Sequence, residues 1–248
     1  MKVFAFTVTR ATTPQRMAVL NNTLWRGRES AGFAMDWHVW TNGVGNLTME
    51  VLLEALRKNV IAGIHPHGDN VGQHVAWNEA FELAKKEYDY FLRIDDDCEF
   101  ITKRWLKKLV NCSVMLDDKF VLAPLVRGLK QPPEKSNLVS VKGIPLEFLI
   151  GAIGGICRLH PVKLLLARKD PFIADVRKPL GSGDATGVAS WCRAHTIPMA
   201  YTRQIRVRHN TRSQELDDPE HFLRHDLLQT IPYIPRLDDE QDSNTQQP

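Results

Sequence analysis

The sequence predicts an α/β domain in which helices flank a central, mostly parallel sheet. Through the first hundred residues, short runs of β-branched and aromatic residues alternate with longer amphipathic runs, the pattern of strands that alternate with helices. Strands separated by a helix lie parallel in one sheet and are joined by right-handed crossovers. The 248 residues are 43% hydrophobic and 25% charged. These values are close to globular averages and exclude a disordered, collagen-like or coiled-coil chain.

Seven elements are predicted in the first half. The clearest helix start is Thr12 or Thr13 followed by Pro14, because threonine caps helices and proline is favoured at the first helical position. The last of the three helices has the most regular apolar stripe, with alanines along one side. The predicted strands are 2–9, 36–41, 60–64 and 89–94, and the predicted helices run from 12 or 13 to about 25, from 48 to 58 and from 71 to 86.

The second half of the sequence is less regular. Residues 127–137 are polar and predict a loop, residues 177–187 predict a flexible stretch, and residues 146–158 predict an apolar strand interrupted by glycines. No linker divides residues 1–237, which predict a single domain, and the acidic residues 238–248 predict a disordered tail. The other predicted elements are helices at 103–116, 162–168, 184–195 and 219–230 and strands at 120–123, 199–202 and 204–209.

Charge and cysteine content narrow the classes of function. The formal net charge is +3, but the acidic tail holds four acids and no Lys or Arg, so the rest of the chain carries +7. A basic body suits a polyanionic ligand such as a nucleoside diphosphate or a nucleic acid, although ordinary solubility explains it equally well. The four scattered cysteines favour reduced thiols in a cytoplasmic protein. No apolar run reaches the roughly 18 residues of a membrane span.

Three consecutive carboxylates, Asp95, Asp96 and Asp97, follow a predicted strand. Adjacent carboxylates repel one another, and a divalent cation such as Mg2+ or Mn2+ relieves that repulsion. In a strand, residues two apart point to the same side, so Asp95 and Asp97 are predicted to share one cation while Asp96 points away. The alternative is a solvated acidic turn, but ligands collect at the carboxyl ends of parallel strands, which favours the metal site. The other residues expected along this edge are Thr9, Arg10 and Asn42.

A second polar group comes from the run QIRVRHN, which supplies Arg206, Arg208 and His209. Arginine matches phosphate oxygens in a bidentate way, and neutral imidazole binds metal ions. The alternative is an edge strand whose charges discourage aggregation. Asp184, at the start of a predicted helix, is either an N-cap or a general base that accepts the proton of an attacking hydroxyl.

The histidines His65, His67 and His74 form a third group of possible metal ligands, between a predicted strand and a predicted helix. Only Asp69 accompanies them as a carboxylate, so the sequence does not favour a metal site there. Cys98, next to the acidic triplet, is interpreted as a small buried hydrophobe and not as a nucleophile.

These stretches resemble the GT-A fold nucleotide-sugar glycosyltransferases, in particular the family 2-like group. Four runs appear in the order of that family over residues 1–212. The resemblance implies an α/β fold of GT-A type, with a Rossmann-like central sheet, a nucleotide-binding half at 1–100 and a smaller acceptor half at 101–237. The four runs are TVTRATTPQR, NVGQHVAWNEAFELAKKEYDYFLRIDDD, GAIGGICRL and GSGDATGVASWCRAHTIPMAYTRQIRVRHN.

The resemblance also implies a reaction. A sugar is transferred from a nucleoside diphosphate donor, most readily a UDP-sugar, to an acceptor hydroxyl with inversion. By the family pattern, Asp95, Asp97 and His209 hold Mn2+ or Mg2+, and Asp184 is the catalytic base. The implied donor-binding residues are Thr9, Arg10, Asn42, Asp95, Asp96, Arg206 and Arg208.

Two positions differ from the family pattern. Gly183 precedes the expected base where the family usually has a glutamate, and Asn42 ends the second strand where the family often has an acid. Asn42 can still form hydrogen bonds to a uracil. The missing glutamate leaves open a catalytically silent protein that only binds nucleotide sugars.

Two other activities fit the same residues. One is glycosyl transfer to a hydroxymethylated base of DNA, as in phage-type enzymes, because the body is basic and aromatic side chains are available for a flipped base. The other is a metal-dependent nucleotidyltransferase or phosphoesterase, which would use the aspartates on phosphorus. The acceptor is therefore a glycan or modified DNA in the first two hypotheses. The residues considered for DNA are Arg203, Arg206, Arg208, Arg212, Trp191 and Tyr201.

Overall fold

The computed structural model describes residues 1–127, 136–149, 156–167, 191–192 and 194–209. The helices with described bounds are α1 Pro14–Ser30, α2 Asn46–Arg57, α3 Gln73–Glu87, α4 Trp105–Met115 and α5 Val162–Leu166. The strands are β1 Val3–Thr9, β2 Asp36–Asn42, β3 Gly63–His67, β4 Tyr90–Ile94, β5 Cys98–Phe100, β6 Val121–Arg127, β7 Ser136–Val141, β8 Ile144–Leu149, β9 Cys157–Pro161 and β10 Met199–His209.

These strands form one sheet in the order β3-β2-β1-β4-β9-β6-β10-β8-β7, with β5 paired to β10. The strands β3, β2, β1 and β4 are mutually parallel, as the sequence predicts. β6 and β10 are also parallel. In contrast, β9, β5 and the hairpin β7–β8 run antiparallel to their neighbours. The sheet therefore has a parallel core, formed by the four strands up to Ile94, and a mixed remainder.

The sheet separates two hydrophobic cores, and β1 contributes to both. Val3 and Ala5 pack with apolar residues of α1, α2 and α4. Phe4 and Phe6, which alternate with them, pack on the other side with residues of α3 and α5. This alternation is what the pleat of a strand requires, and burial on both faces explains why the strand is apolar throughout.

Helix α1 begins at the predicted cap, Thr13, with Pro14 in the first turn, and it continues five residues past its predicted end. The extension brings Gly27 close to the sheet. A Cβ atom at Gly27 would lie 2.7 Å from the Phe100 ring, and the indole of Trp105 donates a hydrogen bond to the Gly27 carbonyl at 3.0 Å. This close packing fixes α1 against β5 and α4, and with it the side chains that α1 presents at the carboxyl edge of the sheet.

Other boundaries also differ from the predictions. β3 begins three residues late, because the amides of Val60 and Ile61 bond to the Ala55 carbonyl and close the end of α2. The apolar run predicted as one strand at 146–158 contributes to two described strands, β8 up to Leu149 and β9 from Cys157, and its glycines lie outside the described residues. The two strands predicted near the end of the domain are one strand, β10, with an irregularity between Thr202 and Arg206.

No helix within the described ranges combines the length and the apolar character that a bilayer crossing requires. The four cysteines are buried free thiols. The predictions for residues 177–187, 219–230 and 238–248 fall outside the described residues, as do residues 128–135 of the loop predicted at 127–137. The ends of that predicted loop belong to strands, since Arg127 ends β6 and Ser136 begins β7.

Candidate functional site

Three strands bring polar side chains together at the carboxyl edge of the parallel core. β1 ends at Thr9, β4 ends at Ile94 immediately before the acidic triplet, and β10 ends at His209. The short strand β5 runs antiparallel to β10 and sets Cys98 opposite His209. Because Asp97 directly precedes Cys98, this pairing brings the last aspartate and the histidine together.

Asp97 and His209 form the centre of the candidate site. The Nε2 atom of His209 lies 3.2 Å from Oδ2 of Asp97, and the two side chains are 21% and 8% exposed, respectively. Burial raises the pKa of Asp97 to about 7, the neighbouring Asp96 carboxylate adds to this effect, and Arg16 and Arg93 oppose it. An almost buried carboxylate next to an imidazole is an oxygen and nitrogen pair that can hold a cation or share a proton.

Asp96 is held by the first strand and the first helix. Its Oδ2 atom accepts a hydrogen bond from Thr9 Oγ1 at 2.7 Å and lies 3.5 Å from Nη2 of Arg16. The hydroxyl of Thr23 donates to the Asp96 backbone carbonyl at 3.1 Å. The side chains of Arg16 and Asp96 are 15% and 13% exposed, so this ion pair is largely removed from water. Both the side chain and the backbone of Asp96 are therefore tied to β1 and α1.

Asp95 points toward a different set of partners. Its Oδ1 atom forms an ion pair with Nη1 of Arg93, and Nη2 of the same arginine donates to Gln73 on α3 at 3.2 Å. The amide of Asp95 donates to the Ile156 carbonyl at 2.7 Å, next to β9. Each aspartate of the triplet is thus in contact with a different part of the sheet.

The premise that Asp95 and Asp97 lie on a common strand face is wrong, and the sharing of one cation by these two residues stays a prediction. β4 ends at Ile94 and the aspartates lie in the following turn, so the alternation of a strand does not apply to them. Asp95 pairs with Arg93, while Asp97 faces His209. Across the described ranges, no group of three or more His, Cys, Asp or Glu side chains is arranged to hold a metal ion.

Asn42, predicted to contact the nucleotide base, is engaged by the loop that precedes α3. It is only 5% exposed. Its Oδ1 atom accepts a hydrogen bond from the Val71 amide at 2.8 Å, and its Nδ2 donates to Oδ1 of Asn70 at 2.7 Å. Both ends of the Asn42 amide thus fix the loop between β3 and α3, and contact with a base stays a prediction.

The remaining predicted residues are in varied surroundings. Arg10 follows β1 and is exposed. On β10, Arg206 is half-buried, and Nη1 of Arg208 lies 3.2 Å from Oε2 of Glu99 with 35% of the arginine side chain exposed. Asp184, predicted to be the catalytic base, lies outside the described residues.

Sequence reasoning missed Arg16 and Thr23, which hold the acidic triplet from α1. They are seven residues apart, about two helical turns, and therefore lie on one face of the helix. Leu20 and Leu24 on the same helix are fully buried, and Thr23 is 1% exposed. The signal that could have identified Arg16 and Thr23 was the presence of two polar residues, two turns apart, along the buried stripe of the helix.

The histidines of β3 lie at the edge of the sheet, in a separate group. Nδ1 of His38 lies 2.9 Å from Nε2 of His65, and the His65 ring stacks on Trp40 with 3.9 Å between centroids. Nε2 of His67 lies 3.1 Å from Oε2 of Glu79, which also accepts a hydrogen bond from the Trp40 indole at 2.8 Å. These pairwise contacts are typical of a packed sheet edge.

This group predicts a pH dependence of stability. Burial, with a smaller effect from His65, lowers the pKa of His38 to about 4, whereas an unfolded chain protonates histidine near 6.5. The unfolded state therefore binds more protons between pH 6.5 and 4, so the free energy of unfolding falls as the pH drops through this range and is constant below it. Because the side chain is partly solvated, we expect a loss of about 1–2 kcal/mol.

Urea unfolding at pH 7 and pH 4.5 measures this effect. The variant His38→Phe, which keeps a ring stacked on Phe4, is expected to lose stability less steeply on acidification than the native chain. His74→Gln is the control, because His74 lies in the first turn of α3 outside this group. Equal pH slopes for the native chain and His38→Phe would show that His38 does not cause the acid sensitivity.

Comparison with known proteins supports the fold. No protein-family model matches the sequence, and no curated protein matches it. Among solved structures, GalNAc-T7 with UDP, GalNAc and Mn2+ matches with a TM-score of 0.62 at 11% identity, over 84% of this chain and 44% of its own. S. aureus TarS matches with a TM-score of 0.55 at 13% identity, over 90% of this chain and 38% of its own. The 1–349 portion of TarS in complex with UDP matches with a TM-score of 0.55 at 12% identity, over 90% of this chain and 63% of that portion.

The chain therefore has the α/β fold of the GT-A glycosyltransferases, as the resemblance implies. At identities of 11–13%, these matches concern the fold. The chain spans less than half the length of GalNAc-T7 and of full TarS.

Proposed function

We propose that this protein is a metal-dependent glycosyltransferase that moves a sugar from a nucleoside diphosphate donor to an acceptor hydroxyl, with inversion at the anomeric carbon. The observation that carries the proposal is the pair formed by Asp97 and His209, 3.2 Å apart at the carboxyl end of β4. In open α/β sheets this edge is where ligands bind. The pair comes from two elements that are distant in sequence and that the pairing of β5 with β10 brings together.

The chemistry of Asp97 and His209 fits a divalent cation. A carboxylate oxygen suits Mg2+ or Mn2+, and imidazole is a common metal ligand. Cations that act on nucleotides are held by one or two carboxylates together with substrate phosphates and water, so two protein ligands suffice without a third acid. When bound, such a cation would neutralise the charge that develops on the departing diphosphate. We assign Asp97 and His209 as its ligands and Asp95 as a donor contact.

Other residues complete the proposed reaction. Arg206 and Arg208 on β10 bind the diphosphate, since both retain partial exposure and Arg208 directly precedes the cation ligand His209. Arg10, which is exposed after β1, flanks the nucleoside, whereas Thr9 is buried against Asp96 and is not assigned a donor contact. Asp184 accepts the proton of the acceptor hydroxyl as its oxygen attacks the anomeric carbon, and the bond from that carbon to the nucleoside diphosphate breaks on the opposite face.

The proposed donor is a UDP-sugar. S. aureus TarS has been solved with UDP and with UDP-GlcNAc, and GalNAc-T7 has been solved with UDP, GalNAc and Mn2+. Because these ligands were bound by proteins of the same fold, UDP-sugars are the first donors to test. The acceptor is proposed to be a glycan hydroxyl, and hydroxymethylated DNA is the second acceptor to test.

A thermal-shift panel tests the donor. UDP-sugars with Mn2+ are expected to raise the melting temperature, because a ligand at 100 times its Kd adds about 2.7 kcal/mol to stability. For a chain of this size, that corresponds to a shift of about 5–10 °C. The same sugars without a divalent cation, and Mn2+ with uridine alone, are expected to give much smaller shifts.

Product analysis separates the alternatives. Release of UDP from the shifting donor, with sugar recovered on an acceptor, supports the transferase. Turnover of a nucleoside triphosphate or a phosphodiester without sugar transfer would instead assign a nucleotidyltransferase or phosphoesterase. Donor binding without hydrolysis or transfer over hours would identify a silent nucleotide-sugar binding protein.

A further inference from the structure

The three aspartates of the acidic triplet contact three different sets of partners. Asp95 pairs with Arg93, Asp96 is held by Thr9 and Arg16, and Asp97 faces His209. In a solvated turn, each of the three side chains could rotate among its rotamers, because water and salt screen the repulsion between the carboxylates. The observed order therefore depends on the residues that bind the first two aspartates.

We propose that Arg16, acting with Thr9, is a positioning residue: by binding the Asp96 carboxylate, it keeps Asp96 out of the cation site and leaves Asp97 facing His209. This inference rests on the proposed function for its metal-binding consequence. Its geometric part concerns the chain alone. Under this proposal Asp96 does not contact the donor, which revises the donor-binding role that the sequence suggested for it.

The contacts of Asp96 support this role from two sides. A single carboxylate oxygen, Oδ2, receives the Thr9 hydroxyl at 2.7 Å and faces the Arg16 guanidinium at 3.5 Å. The Thr23 hydroxyl holds the Asp96 carbonyl at 3.1 Å. Both the backbone and the side chain of Asp96 are therefore held in place. Their position sets the direction of the chain through Asp97 and into β5, which begins at Cys98.

The ion pair between Arg16 and Asp96 is more buried than an ordinary surface ion pair. Exposed pairs contribute little because water competes for both charges, and Arg26 with Glu29 on the same helix is such a pair, at 69% and 73% exposure. Arg16 and Asp96 retain only 15% and 13%. Loss of the arginine charge would leave a nearly buried carboxylate beside Asp97, and the simplest relief is for Asp96 to rotate toward the cation site.

Mn2+ affinity measures the consequence for binding. In the presence of UDP, the fraction of free Mn2+ is read from its electron paramagnetic resonance signal. Arg16→Met is expected to raise the Kd for Mn2+ about 10–100-fold, the range typical for residues that orient metal ligands. Arg16→Lys keeps the charge and is expected to recover part of the affinity. Arg26→Met, on the same helix, is the matched control and is expected to bind Mn2+ as the native chain does.

A metal-free measurement tests the geometric part independently. The imidazole NMR signals of His209 are assigned with a His209→Gln variant. They are expected to shift in Arg16→Met, because the contact between His209 and Asp97 is then lost. In Arg26→Met they are expected to be unchanged. If Arg16→Met does not fold, Thr9→Val removes the second Asp96 contact at nearly constant volume and is expected to move the same signals and weaken Mn2+ binding.

The outcomes are distinct. Unchanged His209 signals and unchanged Mn2+ affinity in folded Arg16→Met, or in Thr9→Val where that variant is needed, would overturn the positioning role. A lower melting temperature with native Mn2+ affinity and native His209 signals would also overturn it, since Arg16 would then be structural. Failure of the native protein to bind Mn2+ with UDP would contradict the proposed function, and in that case the His209 signals alone decide whether Arg16 positions the triplet.

Discussion

Asp97→Asn is expected to reduce sugar transfer about 10²–10³-fold at saturating donor and Mn2+, equivalent to about 3–4 kcal/mol of lost transition-state stabilisation. Asparagine has the shape of aspartate but lacks its negative charge, so the change removes the carboxylate that lies 3.2 Å from His209 and little else. Initial rates of UDP release with acceptor present measure the effect. The requirement for Mn2+ is expected to shift to higher concentration in the variant.

The same variant is not expected to lose stability. Burial raises the pKa of Asp97 to about 7, above its value in the unfolded chain, so the folded state binds more protons between about pH 4 and 7 and stability falls as the pH rises through that range. A neutral asparagine avoids this loss. Asp69→Asn, at an exposed loop position, is the control for activity. Native activity of folded Asp97→Asn at ordinary Mn2+ concentration would rule out a metal-binding role for Asp97.

Trp77→Ala is expected to have the largest effect on stability, a loss of about 3–5 kcal/mol, the usual cost of removing a buried tryptophan. Trp77 is fully buried on α3. Its ring meets Phe6 edge-on at 4.9 Å between centroids and lies 5.8 Å and 5.4 Å from the guanidinium carbons of Arg93 and Arg158. Since a domain of this kind is stable by about 5–15 kcal/mol, the urea midpoint is expected to fall sharply.

Two further variants calibrate this loss. Trp77→Phe keeps an aromatic ring against both guanidiniums and is expected to cost less, about 1–2 kcal/mol. Trp25→Ala removes a tryptophan that is 38% exposed on α1, and it is expected to change the midpoint far less. Equal losses for Trp77→Ala and Trp25→Ala would show that the core around α3 is not the main source of stability.

The parallel half of the fold could be predicted because local patterns decide it. β1, β2 and β4 are apolar runs of strand length, and the helices between them have caps or stripes that are visible in the sequence, such as Thr13 with Pro14. β5 could not be predicted, since three residues carry no period and the strand exists only through its pairing with β10. In the hairpin β7–β8, β7 was missed because it begins inside the polar run 127–137 that predicts a loop, whereas β8 overlaps the apolar strand predicted at 146–158.

The candidate site, like the fold, could be predicted from the sequence only in part. The presence of the acidic triplet at the end of β4, and the return of His209 to it, follow from motif order in the sequence. The directions of the three aspartates do not, because they depend on contacts with Arg93, Arg16 and Thr23 that are set by packing between elements. Alternation along a strand was the wrong rule once the strand had ended at Ile94.

The late position of β10 has a consequence during synthesis on the ribosome. The four parallel strands are complete when residue 94 has emerged, but His209 must still be made before Asp97 meets its partner. At about 5–20 residues per second, the gap lasts about 6–23 s. A nascent chain stalled in that interval can hold a half-built sheet with an acidic tip and no histidine beside it, so the contact between Asp97 and His209 marks the moment at which β10 has docked.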